Sequence, residues 1–183
     1  LPMVDKQSVR LYKKAEGGQL VSVGSVAIKE GAVSARLHKD YLYVAYGEGL
    51  RVFQVKGPDE WIVVGDLSIP GLVHCFELLG SGTAMVATHH QGVLIVDISD
   101  PTQPIQTSRL TLPRKLDGSA VGNILVDGKR AYLSQGTSGV NVVDVSSPQS
   151  PAVLQLLDTP GYASTMALHD GLLFVADAQK GLF

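Results

Sequence analysis

Two adjacent histidines are the residues in this sequence best suited to chemistry. His89 and His90 lie in a segment that is predicted to be a loop between two strands. Imidazole nitrogens bind zinc, copper, iron or nickel, and neighbouring loop residues can both reach one ion. A stable site needs three or four ligands, yet no HxH, HExxH or carboxylate partner stands at a diagnostic spacing. We therefore predict solvated loop histidines and no bound metal, with a site formed by His74, His89 and His90 as the alternative.

The sequence contains no other recognisable set of reactive residues. It has no glycine-rich phosphate loop, no Gly-x-Ser-x-Gly motif, and no Ser, His and Asp set at interpretable positions. Cys75 is the only cysteine, which excludes intrachain disulfides, and it lies in an apolar run typical of a buried strand. Asp97 and Asp144 precede Ser-Pro turns at matching positions, where a carboxylate usually bonds backbone amides. We predict no catalytic residue and no cofactor, and a noncatalytic role is favoured over an enzyme.

A repeated strand sequence determines how these residues are positioned. The copies share a leading glycine or its equivalent and begin at Ser8, Gly49, Gly92, Gly139 and Gly181. Successive copies are 41, 43, 47 and 42 residues apart. A second marker lies 21 residues after three of the glycines, at Pro70, Pro113 and Pro160. A period in the low forties, with strands in every copy, is typical of a β-propeller.

Each repeat is predicted to hold four antiparallel strands, labelled a to d. Strand c starts at the marker glycine, strand d follows a turn rich in proline and serine, and strands a and b follow the marker proline. Asp127-Gly128 and Asp170-Gly171 mark tight turns between strands a and b. The predicted fold is all-β, a single β-propeller domain or fragment over residues 1–183, with about four blades' worth of four-stranded sheet.

The markers also assign the blades. Complete blades are predicted at 29–70, 71–113 and 114–160, with strands c and d of an earlier blade at 8–28 and strands a, b and the start of c at 161–183. The two terminal parts could combine into a fourth blade and close a four-blade ring, which would remove exposed sheet edges. We expect instead a piece of a larger propeller, because the last strand c stops soon after its glycine.

One end of the blades is predicted to carry the binding site. The b–c loops and the d–a connections emerge there, and they differ from copy to copy in chemistry and length. The segment from Pro113 to Gly139 is longer than its counterparts, with the excess at 114–119. Loops carry recognition while strands carry packing. The predicted ligand-binding residues are Tyr46, Glu48, His89, His90, Arg114, Lys115, Asp117, Tyr162 and Asp177.

Composition narrows the range of partners. The formal net charge is −2 and the basic residues are scattered, so we expect no nucleic-acid partner. Hydrophobic residues make up 45% of the chain, enough for a substantial core. No apolar run is long enough to span a membrane. A protein or a glycan remains as the expected partner.

The strand motifs resemble those of the LVIVD-repeat family. The closest matches are Asp97-Ile98-Ser99-Asp100-Pro101 and Asp144-Val145-Ser146-Ser147-Pro148, and similar copies cover nearly the whole chain. The first copy departs from the pattern, with Ser8 for glycine. The resemblance implies a β-propeller on a secreted or cell-surface protein, outside the cytoplasm and often joined to further blades or domains. It implies a binding or scaffolding role, with a propeller enzyme or metal-binding protein using His89 and His90 as the alternative.

Overall fold

The computed structural model describes residues 1–5, 7–58, 60–80, 82–113 and 120–183. In this part of the chain the structure is all-β, with eighteen strands and one short 3₁₀ turn, η1, at Glu16–Gly18. The strands form five small antiparallel sheets, in each of which neighbours in sequence are neighbours in space. Such a meander is the blade of a β-propeller, and the sheets are called blades 1 to 5 in chain order.

The first compact unit comprises Leu1–Val73 and Asp100–Ile105. It contains blade 1, with three strands, and blade 2, with four. The strands of blade 1 are β1 (Pro2–Asp5), β2 (Ser8–Lys14) and β3 (Leu20–Ala27), and those of blade 2 are β4 (Ala32–His38), β5 (Tyr41–Tyr46), β6 (Gly49–Gly57) and β7 (Glu60–Ser68).

The second compact unit comprises His74–Ser99 and Gln106–Phe183. It holds blades 4 and 5 and most of blade 3. The strands of blade 3 are β8 (Val73–Gly80), β9 (Thr83–Thr88), β10 (Gly92–Asp97) and β11 (Ile105–Leu110); those of blade 4 are β12 (Asn123–Asp127), β13 (Arg130–Ser134), β14 (Val140–Asp144) and β15 (Ala152–Leu157); those of blade 5 are β16 (Ala163–His169), β17 (Leu172–Asp177) and β18 (Gly181–Leu182).

The core of the first unit lies between blades 1 and 2. Alternate residues of a strand point to the same face, so each blade contributes every second apolar side chain. Trp61 packs against this core. The buried members are Val9, Ile28, Ala35, Leu42, Val44 and Phe53.

Two cores of the same kind lie in the described part of the second unit. One lies between blades 3 and 4 and includes Met85, Ile95, Ile124 and Leu133, with Cys75 packed against it. Cys75 is therefore a partly buried core residue, as its apolar context predicts. The other lies between blades 4 and 5 and is built on Val140, Ala163, Met166 and Val175.

Two glycines in strands d of the first unit allow an adjacent turn to approach very closely. A Cβ atom built on Gly24 would overlap the carbonyl oxygen of Pro58, and one built on Gly65 would overlap that of Pro101. Glycine inside a strand often marks such a backbone approach. In the second unit the same repeat position holds Ser108, whose hydroxyl donates to the carbonyl of Gln149 at 3.3 Å.

The turns after strand c are built as predicted from their carboxylates. Asp97 Oδ1 accepts from the backbone N–H of Ser99 at 2.9 Å, and Asp144 Oδ1 accepts from that of Ser146 at 2.8 Å. The hydroxyl of Ser99 and then its backbone amide hold the pKa of Asp97 below its usual value. These carboxylates are therefore structural.

The repeated strands begin within one residue of their predicted starts, and the predicted all-β class is confirmed. The predicted count of about four blades' worth of sheet is slightly low, because the terminal parts 8–28 and 161–183 belong to two separate three-stranded sheets beside three four-stranded ones. The strand that the prediction lacks is β1, which pairs with β2 from Pro2↔Leu11 to Asp5↔Ser8. Its turn relies on the Asp5 carboxylate, which accepts from the backbone amides of Gln7 and Ser8, rather than on an Asn-Gly or Asp-Gly signal.

The closed four-blade alternative is also wrong. It required 8–28 and 161–183 to form one sheet, but β1–β3 and β16–β18 belong to separate sheets. No helix in the described ranges is long and apolar enough to cross a membrane.

Candidate functional site

A small cleft lies in the second unit, at the end of blades 3 and 4 where the b–c loops and the d–a connection emerge. Its volume is about 200 Å³. The lining combines the loop after β9, the end of β11, the connection that follows it and the residue after β13. The lining residues are Thr88, His89, His90, Gln91, Gly92, Arg109, Leu110, Thr111, Leu112, Ala120, Val121 and Gln135.

Buried residues form part of the lining of the cleft. Leu110, Leu112 and Val121 are each at most 8% exposed and belong to the core between blades 3 and 4. Thr88 is 2% exposed and fixes the loop that carries the histidines. Its hydroxyl donates to the carbonyl of Gly92 at 3.0 Å and accepts from the backbone N–H of Gln91 at 3.0 Å. The loop is thus held at both ends of its turn.

Arg109 gives the cleft a fixed positive charge. Its Nη2 donates to Oε1 of Gln91 at 2.6 Å, so the guanidinium is held against another lining residue. Within the described ranges, no carboxylate lies within salt-bridge distance of Arg109 and none lines the cleft. The polar groups of the lining are therefore one guanidinium, imidazoles, carboxamides and hydroxyls.

Gln135 is held from behind by a buried asparagine. Asn141 is fully buried in β14, and its Nδ2 donates to Oε1 of Gln135 at 2.8 Å. The Oδ1 atom of Asn141 is buried without a hydrogen-bond partner. Leaving a buried carbonyl unpaired costs about 1–3 kcal/mol. Asn141 carries this cost in a strand that is otherwise rich in valine. Its side chain positions the carboxamide of Gln135 in the cleft wall.

His74, His89 and His90 come together in the second unit. His74 Nε2 and His89 Nδ1 are 2.9 Å apart, and the two rings are inclined by only 19° with centroids 5.1 Å apart. Nearly coplanar rings at this separation form an end-to-end N–H···N hydrogen bond rather than a face-to-face stack. The His90 ring lies edge-on to His89, at 4.6 Å and 86°.

The surroundings of His74 disfavour its charged form. Burial, and then the positive charge of His89, lower the pKa of His74. The shared hydrogen bond aims the two nitrogen lone-pair directions at each other rather than at a common ion. Within the described residues, no group of three or more His, Cys, Asp or Glu side chains is placed to hold a metal ion.

Tyr46 and Glu48 lie in the first unit, where Tyr46 ends β5 and Glu48 lies in the loop that follows. Glu48 is exposed and its carbonyl accepts from the backbone N–H of Ile69 at 2.9 Å. The Tyr46 hydroxyl donates to Oδ1 of Asp66 at 2.7 Å, and the Arg51 guanidinium lies 4.6 Å from the centre of the Tyr46 ring. Burial, and then the bond to Asp66, raise the pKa of Tyr46 to about 12. Tyr46 is therefore part of a packed ionic network.

Arg51 is the centre of that network. Its Nε donates to Oδ2 of Asp66 at 2.7 Å and its Nη2 lies 3.1 Å from Oε1 of Glu30. Burial alone would lower the pKa of Arg51, but the bonds to Glu30 and Asp66 outweigh it and raise that pKa. The bond from Arg51 is also the main reason that the pKa of Glu30 is lowered.

Asp177 and Tyr162 contact each other in the second unit. Asp177 is 4% exposed, and its carboxylate accepts from four backbone amides, those of Gly161, Tyr162, Gln179 and Lys180. Burial would raise the pKa of Asp177, but the backbone hydrogen bonds, that from Gln179 first, outweigh it and lower the pKa. Asp177 holds two loops together, while the side chain of Tyr162 is 41% exposed.

The structure thus brings only part of the predicted site into the cleft. His89 and His90 line it, whereas Tyr46 and Glu48 belong to the first unit and Tyr162 with Asp177 lie in blade 5 and its preceding connection. Arg114, Lys115 and Asp117 lie outside the described residues.

Sequence reasoning missed Arg109, Gln91, Gln135 and Asn141. One signal was present for Arg109, since the 43-residue step from Gly49 to Gly92 places it where the preceding repeat has Asp66. A change from a carboxylate to a guanidinium at one repeat position indicates a local change of role.

Comparison with known families identifies the repeat. The LVIVD repeat model matches residues 82–111 and 118–159. No curated protein matches the chain. The matched residues cover blade 4 and all of blade 3 except β8, and these two blades also form the cleft. Residues 82–159 of this β-propeller therefore carry LVIVD repeats, as the motifs at Asp97 and Asp144 predict.

Proposed function

We propose that the protein is a noncatalytic binding or scaffolding module of a secreted or cell-surface protein, and that it recognises a protein or a glycan. The observation that carries this proposal is the cleft between blades 3 and 4, whose lining includes residues that do not recur among the repeats, namely His89, His90, Gln91 and Arg109. The recurring carboxylates Asp97 and Asp144 are occupied by their own turns. Variation confined to one end of a repeated scaffold is typical of a recognition surface.

The test compares variants at the two ends of the same blades. The cleft variant is Gln91→Ala/Arg109→Ala, and the matched control is Lys129→Ala/Arg130→Ala, which changes exposed residues of the β12–β13 turn. Each protein is applied to a glycan array and to a panel of purified cell-surface proteins. We expect at least one ligand that the wild type and the control retain and that the cleft variant loses. The proposal fails if every ligand found is insensitive to the cleft substitutions, or if neither panel yields a ligand.

A second candidate function is metal binding, or catalysis by a bound metal, at His74, His89 and His90. It is favoured by the 2.9 Å separation of the His74 and His89 ring nitrogens, with His90 beside them. Rotation of the two rings would be needed to point both lone pairs at one ion. Elemental analysis of protein purified without chelator or affinity tag tests this candidate. A stoichiometric metal that is lost in His89→Ala/His90→Ala would establish it and overturn the purely noncatalytic proposal.

A further inference from the structure

We infer that the cleft between blades 3 and 4 binds a carboxylate-bearing sugar, with Arg109 as the group that pairs with the carboxylate. This inference rests on the proposed binding function and specifies its ligand class. Glycans divide into neutral and acidic kinds, and the lining of the cleft discriminates between them.

The lining of the cleft carries a positive charge at Arg109. Arg109 is permanently charged, and Gln91 is its polar partner among the described residues. The contrast with Arg51 is direct, because Arg51 is paired with both Glu30 and Asp66. A guanidinium that lines a concave site and has no carboxylate partner among the described residues is matched in charge and shape by a carboxylate from outside.

Neutral polar side chains also line the cleft. Thr111 presents a hydroxyl, which both donates and accepts, while the carboxamide oxygens of Gln91 and Gln135 in the same lining already accept from Arg109 and Asn141. Asn141 fixes the Gln135 side chain from a fully buried position, which indicates a preorganised wall. A carboxylate ligand with several hydroxyl groups uses both kinds of partner at once.

The size of the cleft favours a sugar over an extended peptide. Its volume of about 200 Å³ is below the roughly 300–1,000 Å³ of typical ligand pockets, so the group that it encloses is small. This space accommodates one ring. Leu110, Leu112 and Val121 give the ring an apolar floor.

The experiment is calorimetric titration of tag-free protein with three probes: trigalacturonate, the neutral trisaccharide galactotriose and the peptide triglutamate. We expect trigalacturonate to bind at least tenfold more tightly than either of the others. Arg109→Gln is expected to weaken trigalacturonate binding by roughly ten- to hundredfold, because one charged hydrogen-bonding partner is lost. The matched control Arg130→Gln removes an exposed arginine at the other end of blade 4 and should leave the affinity unchanged.

Each contrary result has a distinct meaning. Equal binding of galactotriose and trigalacturonate overturns the acidic specificity and leaves the proposed binding function intact. Tighter binding of triglutamate, lost in Arg109→Gln, overturns the assignment to a sugar. An absence of trigalacturonate binding, or equal losses in Arg109→Gln and Arg130→Gln, also overturns the inference. Thermal melts of both variants check that each is folded.

Discussion

Two arginines, one in each compact unit, show how related blades can end in a closed junction or an open site. In the first unit Arg51 is paired with Glu30 and Asp66, and the ring of Tyr46 lies over its guanidinium. In the second unit Arg109 lines a cleft and bonds to the carboxamide of Gln91.

The repeat explains how this difference arises. A step of 43 residues carries Arg51 to Leu94 and Asp66 to Arg109. The cross-strand pair Arg51↔Asp66 of blade 2 thus corresponds in blade 3 to a fully buried leucine and an arginine. These two differences replace an internal ion pair with a buried leucine and an exposed arginine. Under the proposed function, few side-chain differences between repeats separate a packed end from a binding end.

The largest effect is expected when the closed junction is broken with Arg51→Leu. This change removes two solvent-screened ion pairs and one cation–π contact, each worth less than about 1 kcal/mol. We expect the free energy of unfolding to fall by about 1–2 kcal/mol, as measured by urea denaturation. A loss below about 0.3 kcal/mol would show that the network contributes little to stability. Arg51 and Arg109 would then no longer differ in structural role.

A smaller effect is expected for Tyr46→Phe. The ring and its contact with Arg51 remain, but the hydrogen bond from the hydroxyl to Asp66 is lost. We expect a loss of about 0.5–1 kcal/mol in the same measurement. Tyr162→Phe is the matched control, because the backbone N–H rather than the side chain of Tyr162 bonds Asp177. Equal losses in the two variants would contradict the account of Tyr46.

The histidine pair predicts a pH dependence that belongs to the second unit. Because the pKa of His74 is lowered in the folded protein, the unfolded chain binds more protons as the pH falls through the usual histidine range. The free energy of unfolding should therefore be highest above about pH 7 and should fall as the pH is lowered toward about 5. In His74→Gln the decline should be shallower. Thermal melts of both proteins across this range make the comparison, and parallel curves would exclude a contribution from His74.

The smallest effect is expected for Arg109→Leu, the counterpart of Arg51→Leu. Arg109 is exposed, and no carboxylate of the described chain is left unpaired by its removal. We expect a change within about 0.5 kcal/mol of zero in urea denaturation. A loss as large as that of Arg51→Leu would show that the two arginines have the same structural role.

Much of the fold could be predicted because period and turn chemistry repeat along the chain. The strands starting at Gly49, Gly92 and Gly181 are found where the marker glycines place them. β1 could not be predicted in this way, since Pro2–Asp5 is short and its turn depends on a single carboxylate. This strand adds a third member to blade 1 and creates no additional sheet.

The candidate site was less predictable, because its parts come from different repeats. His89 and His90 were identified from residue type alone, and they do line the cleft. Asp177 was selected from its loop position, but its carboxylate is occupied by four amides, an arrangement that depends on the path of two loops. Gln135 and Asn141 are brought together across a turn, and neither residue type is distinctive by itself.

The glycines that receive a neighbouring turn have a consequence for how such a chain can lengthen or shorten. Gly24 accommodates Pro58 and Gly65 accommodates Pro101, so each contact joins residues from successive copies of the repeat. Gain or loss of one whole copy keeps a small residue opposite every incoming turn. A partial duplication would place a side chain against a backbone carbonyl. Copy number in proteins built this way should consequently change in whole steps.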